Sequence, residues 1–245
     1  MISAIIITKN AEKHLKRCLE SLNNFEEIIV LDNGSTDTTL TIAAGFANVK
    51  IFHSPFIGFG PLKNLAATYA KNDWLFSIDA DEIPDNELIQ KILTKNWKEN
   101  EVGVIYRLNY YKNVPIETAG YGNDWVTRIY NRKITQFTDA QVHEGIMDKN
   151  LIPIKLAGQL PHFSSDSIEE LLQKMQHYST LFANIHYKKK FPSWRSIYFR
   201  AFWTFIKTYF IQRGVFSGYV GFLLSATAAC TTFYKYMKLY EKNKN

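Results

Sequence analysis

Cysteine is scarce. Cys18 and Cys230 are the only two, far apart, and neither sits in a CxxC or metal-ligand spacing. That excludes a disulfide framework or a thiolate zinc site as the organising device, and a reducing compartment is the simpler expectation. The opening Met1-Ile2-Ser3-Ala4-Ile5-Ile6-Ile7-Thr8 lacks a basic leader, and its apolar run stops too soon for a signal-peptide core, so it is expected to be a buried strand. A Walker-type phosphate loop, a glycine-rich pyrophosphorylase-like start, internal repeats and low-complexity tracts are all missing. Acidic residues are absent between Glu170 and Glu241, a stretch that holds ten Lys and Arg. The net charge of +6 is therefore concentrated at the rear, and the front is mildly acidic.

What is present fits a globular chain. With 245 residues and 46% apolar content there is enough material for a compact catalytic domain plus an extension. In the front part, short apolar runs alternate with helical patterns, which predicts an α/β fold with a mainly parallel sheet flanked by helices. Strands are expected near 4–8, 27–32, 50–53 and 74–79, with later ones at 102–111 and 126–130. Helices are expected over about 11–22, from Thr36, over 62–71, and after Pro84 with Asp85 as N-cap. A compositional break near 161–167 separates residues 1–160, the expected catalytic domain, from residues 161–245, an expected helical extension in which Ser165 or Asp166 caps the first helix.

In open α/β sheets ligands bind where strand C-termini open into loops. Two such places carry polar residues. Asp32-Asn33-Gly34-Ser35-Thr36-Asp37 offers a tight turn followed by helix-capping side chains, and on its own a capped turn accounts for it equally well. Asp79-Ala80-Asp81-Glu82 follows the apolar Trp74-Leu75-Phe76 and crowds three carboxylates into four positions. Such crowding is unfavourable unless positive charge resides among them, and Mg²⁺ or Mn²⁺, which prefer hard oxygen ligands, are the expected occupants. A solvated acidic turn is the alternative.

Taken together, Ala4-Ile5-Ile6-Ile7-Thr8-Lys9-Asn10, the Asp32 to Asp37 segment, Lys63-Asn64 and Asp79-Ala80-Asp81-Glu82 occur in an order that resembles family 2 glycosyltransferases of GT-A fold. Among these the chain is most similar to the small enzymes that add glucose or related sugars to the lipopolysaccharide inner core. The resemblance implies an inverting transfer of a hexose from a UDP-sugar to a lipopolysaccharide or other surface-glycan acceptor. It implies that Thr8, Lys9, Asn10, Asp32 and Gly34 hold base and ribose, that Lys63 and Asn64 reach base or diphosphate, and that Asp79 and Ala80 border the ribose. Asp81, with Asp79, would hold the metal, and Glu82 would support the site. In Asp139-Ala140-Gln141-Val142-His143-Glu144 the resemblance makes Glu144 the general base and His143 its orienting partner or a metal ligand. Asp139 and Asp124 are the next bases in line. Trp125, Arg128 and Arg132 are expected on the acceptor side, where Arg suits anionic sugars, or else on a charged strand face. His162 falls where such enzymes often carry a histidine, as a metal or diphosphate group or as a packed core residue.

The rear is crowded with aromatics from Phe191 to Gln212, interleaved with and followed by Arg195, Arg200, Lys207 and Arg213. This pattern is expected of an interfacial helix on an anionic membrane, placing the protein in the cytoplasm on the inner face of the bacterial inner membrane. Residues 214–234 are uncharged and long enough to span a bilayer, yet their Gly, Ser and Thr content favours a helix that packs on the first or dips into the interface. A helical cap or a homodimer interface is the alternative. Two rival functions fit less well. A nucleotidyl or sugar-phosphate transferase lacks its glycine-rich loop, and a nucleic-acid-binding module leaves the carboxylate cluster unexplained.

Overall fold

The computed structural model describes residues 1–139 and 144–244. The chain divides into two compact units, Met1–Leu108 with Asp124–His162, and Asn109–Asn123 with Phe163–Asn245. The strands are β1 Ile2–Thr8, β2 Ile28–Asp32, β3 Val49–His53, β4 Trp74–Asp79, β5 Glu101–Tyr111, β6 Val114–Ile116, β7 Trp125–Asn131, β8 Ile152–Lys155 and β9 Leu160–Ser165. The helices are α1 Leu15–Ser21, α2 Thr39–Ala44, α3 Phe59–Tyr69, α4 Asn86–Thr94, α5 Ile168–His186, α6 Trp194–Ile206 and α7 Gly218–Lys244.

In the first unit the sheet order is β3-β2-β1-β4-β7-β5. The first four strands are parallel, β7 is antiparallel to both β4 and β5, and β8 runs parallel to the start of β5. Because successive side chains alternate between faces, Ala4, Ile6, Val30 and Ile78 pack with Leu15 and Leu19 of α1. On the opposite face Ile5, Leu31 and Leu75 pack with Leu62 and Ala66 of α3. Covered on both faces, the central strands read as continuous apolar runs rather than alternating ones.

The sequence-predicted strands are all present, and the helix ends move. α1 is regular only from Leu15, and α2 starts at Thr39, where Asp37 Oδ1 accepts the Thr39 N–H at 3.0 Å. α3 begins three residues earlier than its apolar spacing suggested, after Gly58 at φ 108°, with Pro61 in the first turn where its missing N–H costs nothing. Asp85 caps α4 as expected, accepting from the Leu88 N–H at 2.8 Å.

In the second unit Ser167, rather than Ser165 or Asp166, caps α5, its Oγ accepting from the Glu170 N–H at 3.1 Å. The end of β5 and β6 form a hairpin whose Tyr111 and Ile116 share a small core with Leu171 and Leu224. After α6 the chain passes through a π-helical turn, Lys207–Ile211, and a 3₁₀ turn, Gly214–Ser217, into α7, which packs along α5 and α6. Glycine is required at 221, because a Cβ there would meet the Gly214 carbonyl oxygen at 1.8 Å.

Candidate active site

Strand register gathers the polar residues into one row. Thr8 pairs with Asp32, Asp32 with His53, and Ile7 with Asp79, so His53, Asp32, Thr8 and Asp79 line the C-terminal ends of four adjacent parallel strands. In the order β3-β2-β1-β4 the direction of winding reverses between β1 and β4, where α/β sheets open a ligand crevice. Thr8 Oγ1, at the end of β1, is buried without a hydrogen-bond partner among the described residues.

The loops after β1 and β2 are tied together. Asn10, at φ 51°, accepts the Thr36 N–H at 2.8 Å on its side chain, and its own N–H donates to Ser35 Oγ at 2.9 Å. Asp32 turns its carboxylate into its own loop, accepting from the N–H groups of Gly34 at 3.0 Å and Ser35 at 3.1 Å and from the Ser35 hydroxyl. Burial alone would raise the Asp32 carboxyl, but these hydrogen bonds, with His53 Nδ1 at 3.7 Å, outweigh it and hold it below the usual carboxylate range. Gly34 adopts φ 100°, a conformation open to glycine at little cost. Asp32 is thus a loop former whose oxygens are already engaged. Lys9 and Asn10 stand exposed beside it.

The carboxylate cluster after β4 meets three cations of the chain itself. Lys63, buried on α3, lies 3.0 Å from Asp79 Oδ1 and 2.8 Å from Glu144 Oε1. Arg128, buried on β7, lies 2.7 Å from Asp79 Oδ2 and also pairs with Glu82. Arg107 on β5 bridges Glu82 Oε1 at 3.4 Å and Asp124 Oδ2 at 2.8 Å. Glu82 Oε2 in turn accepts the Asp79 N–H at 3.0 Å. Burial would raise the Asp79 carboxyl, yet Arg128 and then Lys63 overcome that and hold it far below the ordinary value. The Arg128 guanidinium is correspondingly held charged by Asp79 and Glu82 against its own burial.

Several expectations change. The cluster does not depend on a metal for neutralisation, because Lys63, Arg107 and Arg128 already supply positive charge. Asp79, expected as a metal ligand, has both oxygens taken by side-chain cations. Arg128, expected to face an acceptor, is an interior clamp. Arg132 donates to the Ala67 and Ala70 carbonyls at the end of α3, so it closes that helix. Asn64, expected near base or phosphate, exchanges two hydrogen bonds with the Phe137 backbone, at 3.0 and 2.9 Å. Trp125 is 37% exposed, with Lys155 Nζ 4.3 Å above its ring. Ala80 packs against the core. His143 lies outside the described residues. Arg107 and His53 were missed, since nothing local to their strands distinguishes them from surface charges.

The sequence model of glycosyl transferase family 2 matches residues 3–157, more than half of the chain. The chain is a family 2 glycosyltransferase. Its sheet of parallel strands, interrupted by the antiparallel β7 and resumed by β5, is the GT-A fold. A glycosyltransferase of Rickettsia bellii (strain RML369-C) is 33% identical over 98% of this chain and 86% of its own length. The lipopolysaccharide core biosynthesis glycosyltransferase LpsC of Rhizobium meliloti (strain 1021) is 29% identical over 99% of this chain and 93% of its own. Among solved structures, S. aureus TarS 1-349 is 17% identical, with a TM-score of 0.46 over 99% of this chain and 89% of that one.

In this glycosyltransferase Asp81 and His162 are the pair suited to a divalent cation. His162 Nε2 lies 3.5 Å from Asp81 Oδ2, and both side chains are partly exposed, at 17% and 34%. An antiparallel bridge between Glu82 and His162 fixes the histidine beside the cluster. A carboxylate oxygen and an imidazole suit Mn²⁺ and, less well, Mg²⁺. No group of three His, Cys, Asp or Glu that could hold a metal exists among the described residues. Two protein ligands fit a cation that also takes donor phosphate oxygens and water.

Proposed function

We propose that this glycosyltransferase moves a hexose, glucose being the first choice, from a UDP-sugar onto the lipopolysaccharide core or a related surface glycan, inverting the anomeric centre, with Mg²⁺ or Mn²⁺ as cofactor. The observation that carries the reading is Lys63, which holds Glu144 and the strand-end Asp79 on one buried cation. The acceptor class is supported by full-length similarity to LpsC, a lipopolysaccharide core biosynthesis glycosyltransferase. The first unit, which includes His162, is the catalytic part. Helices α5 to α7 form an extension that keeps the enzyme on the cytoplasmic face of the inner membrane, near its acceptor.

An acceptor hydroxyl oxygen attacks the anomeric carbon while its proton passes to Glu144. The bond from that carbon to the diphosphate oxygen breaks, and UDP departs with the electron pair. Glu144, 17% exposed, is within reach of an incoming hydroxyl, and the Lys63 contact on Oε1 fixes its orientation. Thr8, Lys9 and Asn10, on loops tied by Ser35 and Thr36, border the nucleotide. Arg128, Glu82 and Arg107 keep the end of β4 in place. When bound at Asp81 and His162, the divalent cation would offset charge growing on the diphosphate.

Glu144→Gln tests the reading, since a glutamine oxygen can still accept from Lys63 while the base is lost. Turnover is expected to fall about 10²- to 10⁴-fold, with UDP-sugar affinity by calorimetry nearly unchanged. Wild-type turnover in that variant assigns the proton to another group.

A further inference from the structure

α6 wears its apolar side outward. Trp194, Phe199, Phe202 and Trp203 are each at least half exposed, and the turns that follow add Phe210 at 54% and Phe216 at 81%. At about 100° per residue the four α6 side chains fall within half the helix circumference. The buried Ile197 and the half-buried Thr204 face the other way, where Thr204 Oγ1 meets Thr232 Oγ1 of α7 at 3.3 Å. A helix on a water-soluble surface turns its apolar arc towards the core. An exposed patch of this kind marks a surface that works against something else.

Its edge is cationic. Lys190 and Lys235 sit 5.6 and 5.2 Å from the centroid of Phe182, and Lys235 and Arg200 sit 5.4 and 5.1 Å from that of Tyr236. Three cations thus share two rings, and the sequence offers no carboxylate between residues 171 and 240. Burial, then the like charges of Lys190 and Arg200, push the Lys235 ammonium below its ordinary value. Among the described residues no carboxylate pairs with these three cations, which suits them to an external anion.

We propose that this unit docks on the interface of an anionic phospholipid bilayer, with the aromatic arc of α6 and its turn entering the headgroup boundary while Lys190, Arg200 and Lys235 grip a lipid phosphate at the arc's edge. Aromatic side chains favour that depth, and each Lys or Arg near an anionic surface adds attraction. A second copy is the poorer occupant, because a two-fold contact would bring the same cations face to face. The mode is docking, not spanning. The stretch Gly214–Lys244 is long and apolar enough to cross a membrane. Lys238 Nζ nevertheless ties α7 to α5 through Gln176 Oε1, Ser179 Oγ and Thr180 Oγ1, each at 2.8 Å, and Lys242 adds Asn184 at 2.6 Å. Departure of α7 into the bilayer would break all of these. The inference deepens the membrane part of the proposed function and rests on it, while the transfer chemistry is independent.

Flotation of the full chain with phosphatidylglycerol-containing or pure phosphatidylcholine vesicles tests it. Binding to the anionic vesicles, weakened by salt and released by alkaline carbonate, is expected. Arg200→Gln with Lys235→Gln should weaken it about 30-fold, and Phe199→Ala with Phe202→Ala and Trp203→Ala should abolish it. Melting curves are expected to stay near wild type because these groups are exposed or edge-placed. As a readout on folded protein without deletions, brominated acyl chains should quench wild-type tryptophan fluorescence, and Trp194→Phe with Trp203→Phe should remove the quenching. Vesicle binding that survives both sets of substitutions overturns this surface and leaves the membrane location standing. No binding by the wild type overturns both. Dimerisation lost in the same variants, without vesicle binding, assigns the face to a second copy. Turnover on a soluble acceptor stays unchanged in every arm, so a failed transfer reaction is read separately.

Discussion

The first unit encloses its charges in pairs: Arg128 between Asp79 and Glu82, Lys63 between Asp79 and Glu144. The second holds Lys190, Arg200 and Lys235 over aromatic rings and turns its large apolar groups to the outside. Both units hold cations and aromatics, but the stretch 171–240 has no carboxylate to pair with its cations, and exposure separates the units as well. Internal pairing fixes geometry for chemistry, whereas cations lacking acidic neighbours remain available to bind something external.

The comparison breaks first at Arg128. Arg128→Met leaves Asp79 and Glu82 in a largely enclosed cluster without their clamp, and a loss of about 3–5 kcal/mol in denaturant-measured stability is expected, with transfer activity falling too. A loss below about 1 kcal/mol would mean that Lys63 and Arg107 suffice. Phe76→Ala, at a fully buried position, should cost about 3–5 kcal/mol in the same assay.

Acid provides a finer cut. The Asp79 carboxyl is depressed in the folded chain, so its contribution is complete above its unfolded value of about 3.9 and is lost as the pH falls towards the depressed one. Asp79→Asn should therefore be least stable relative to wild type at neutral pH, with melting curves converging as the pH drops below about 4. A gap that stays constant with pH contradicts the ion-pair account. The smallest effect belongs to the second unit. Phe199→Ala, the same chemical change as at Phe76 but at a side chain 69% exposed, should shift stability by no more than about 0.5 kcal/mol.

Much of the first unit was legible because its signals are local. Ile5-Ile6-Ile7 and Ile28 to Leu31 read as buried parallel strands, Asp85 announces its helix, and the carboxylates after Phe76 mark a strand end. The pairings were not legible, since they join residues distant in sequence. Lys63 meets Glu144 across 81 positions, and Arg128 meets Asp79 across 49. A cluster of carboxylates looks the same in sequence whether a metal or an arginine answers it, so sequence alone does not tell which of the two Asp79 meets. The bonds of Asn64 and Arg132 were hidden for a related reason. Their side chains serve backbone groups, and no local pattern advertises such bonds. The outward face of α6 was visible as an aromatic run, but its direction emerged only once Ile197 and Thr204 were found turned inward.

We propose that Asp81 and His162 hold the cation that grips a nucleotide diphosphate, while Asp79 belongs to the ion-pair frame. The most direct test is calorimetric titration of UDP into wild type, Asp81→Ala and His162→Ala, each with and without Mn²⁺. Tightening by Mn²⁺ of at least about tenfold in the wild type, absent from both variants, is the expected result. Equal affinity with and without Mn²⁺, or an undiminished Mn²⁺ effect in Asp81→Ala, would contradict it.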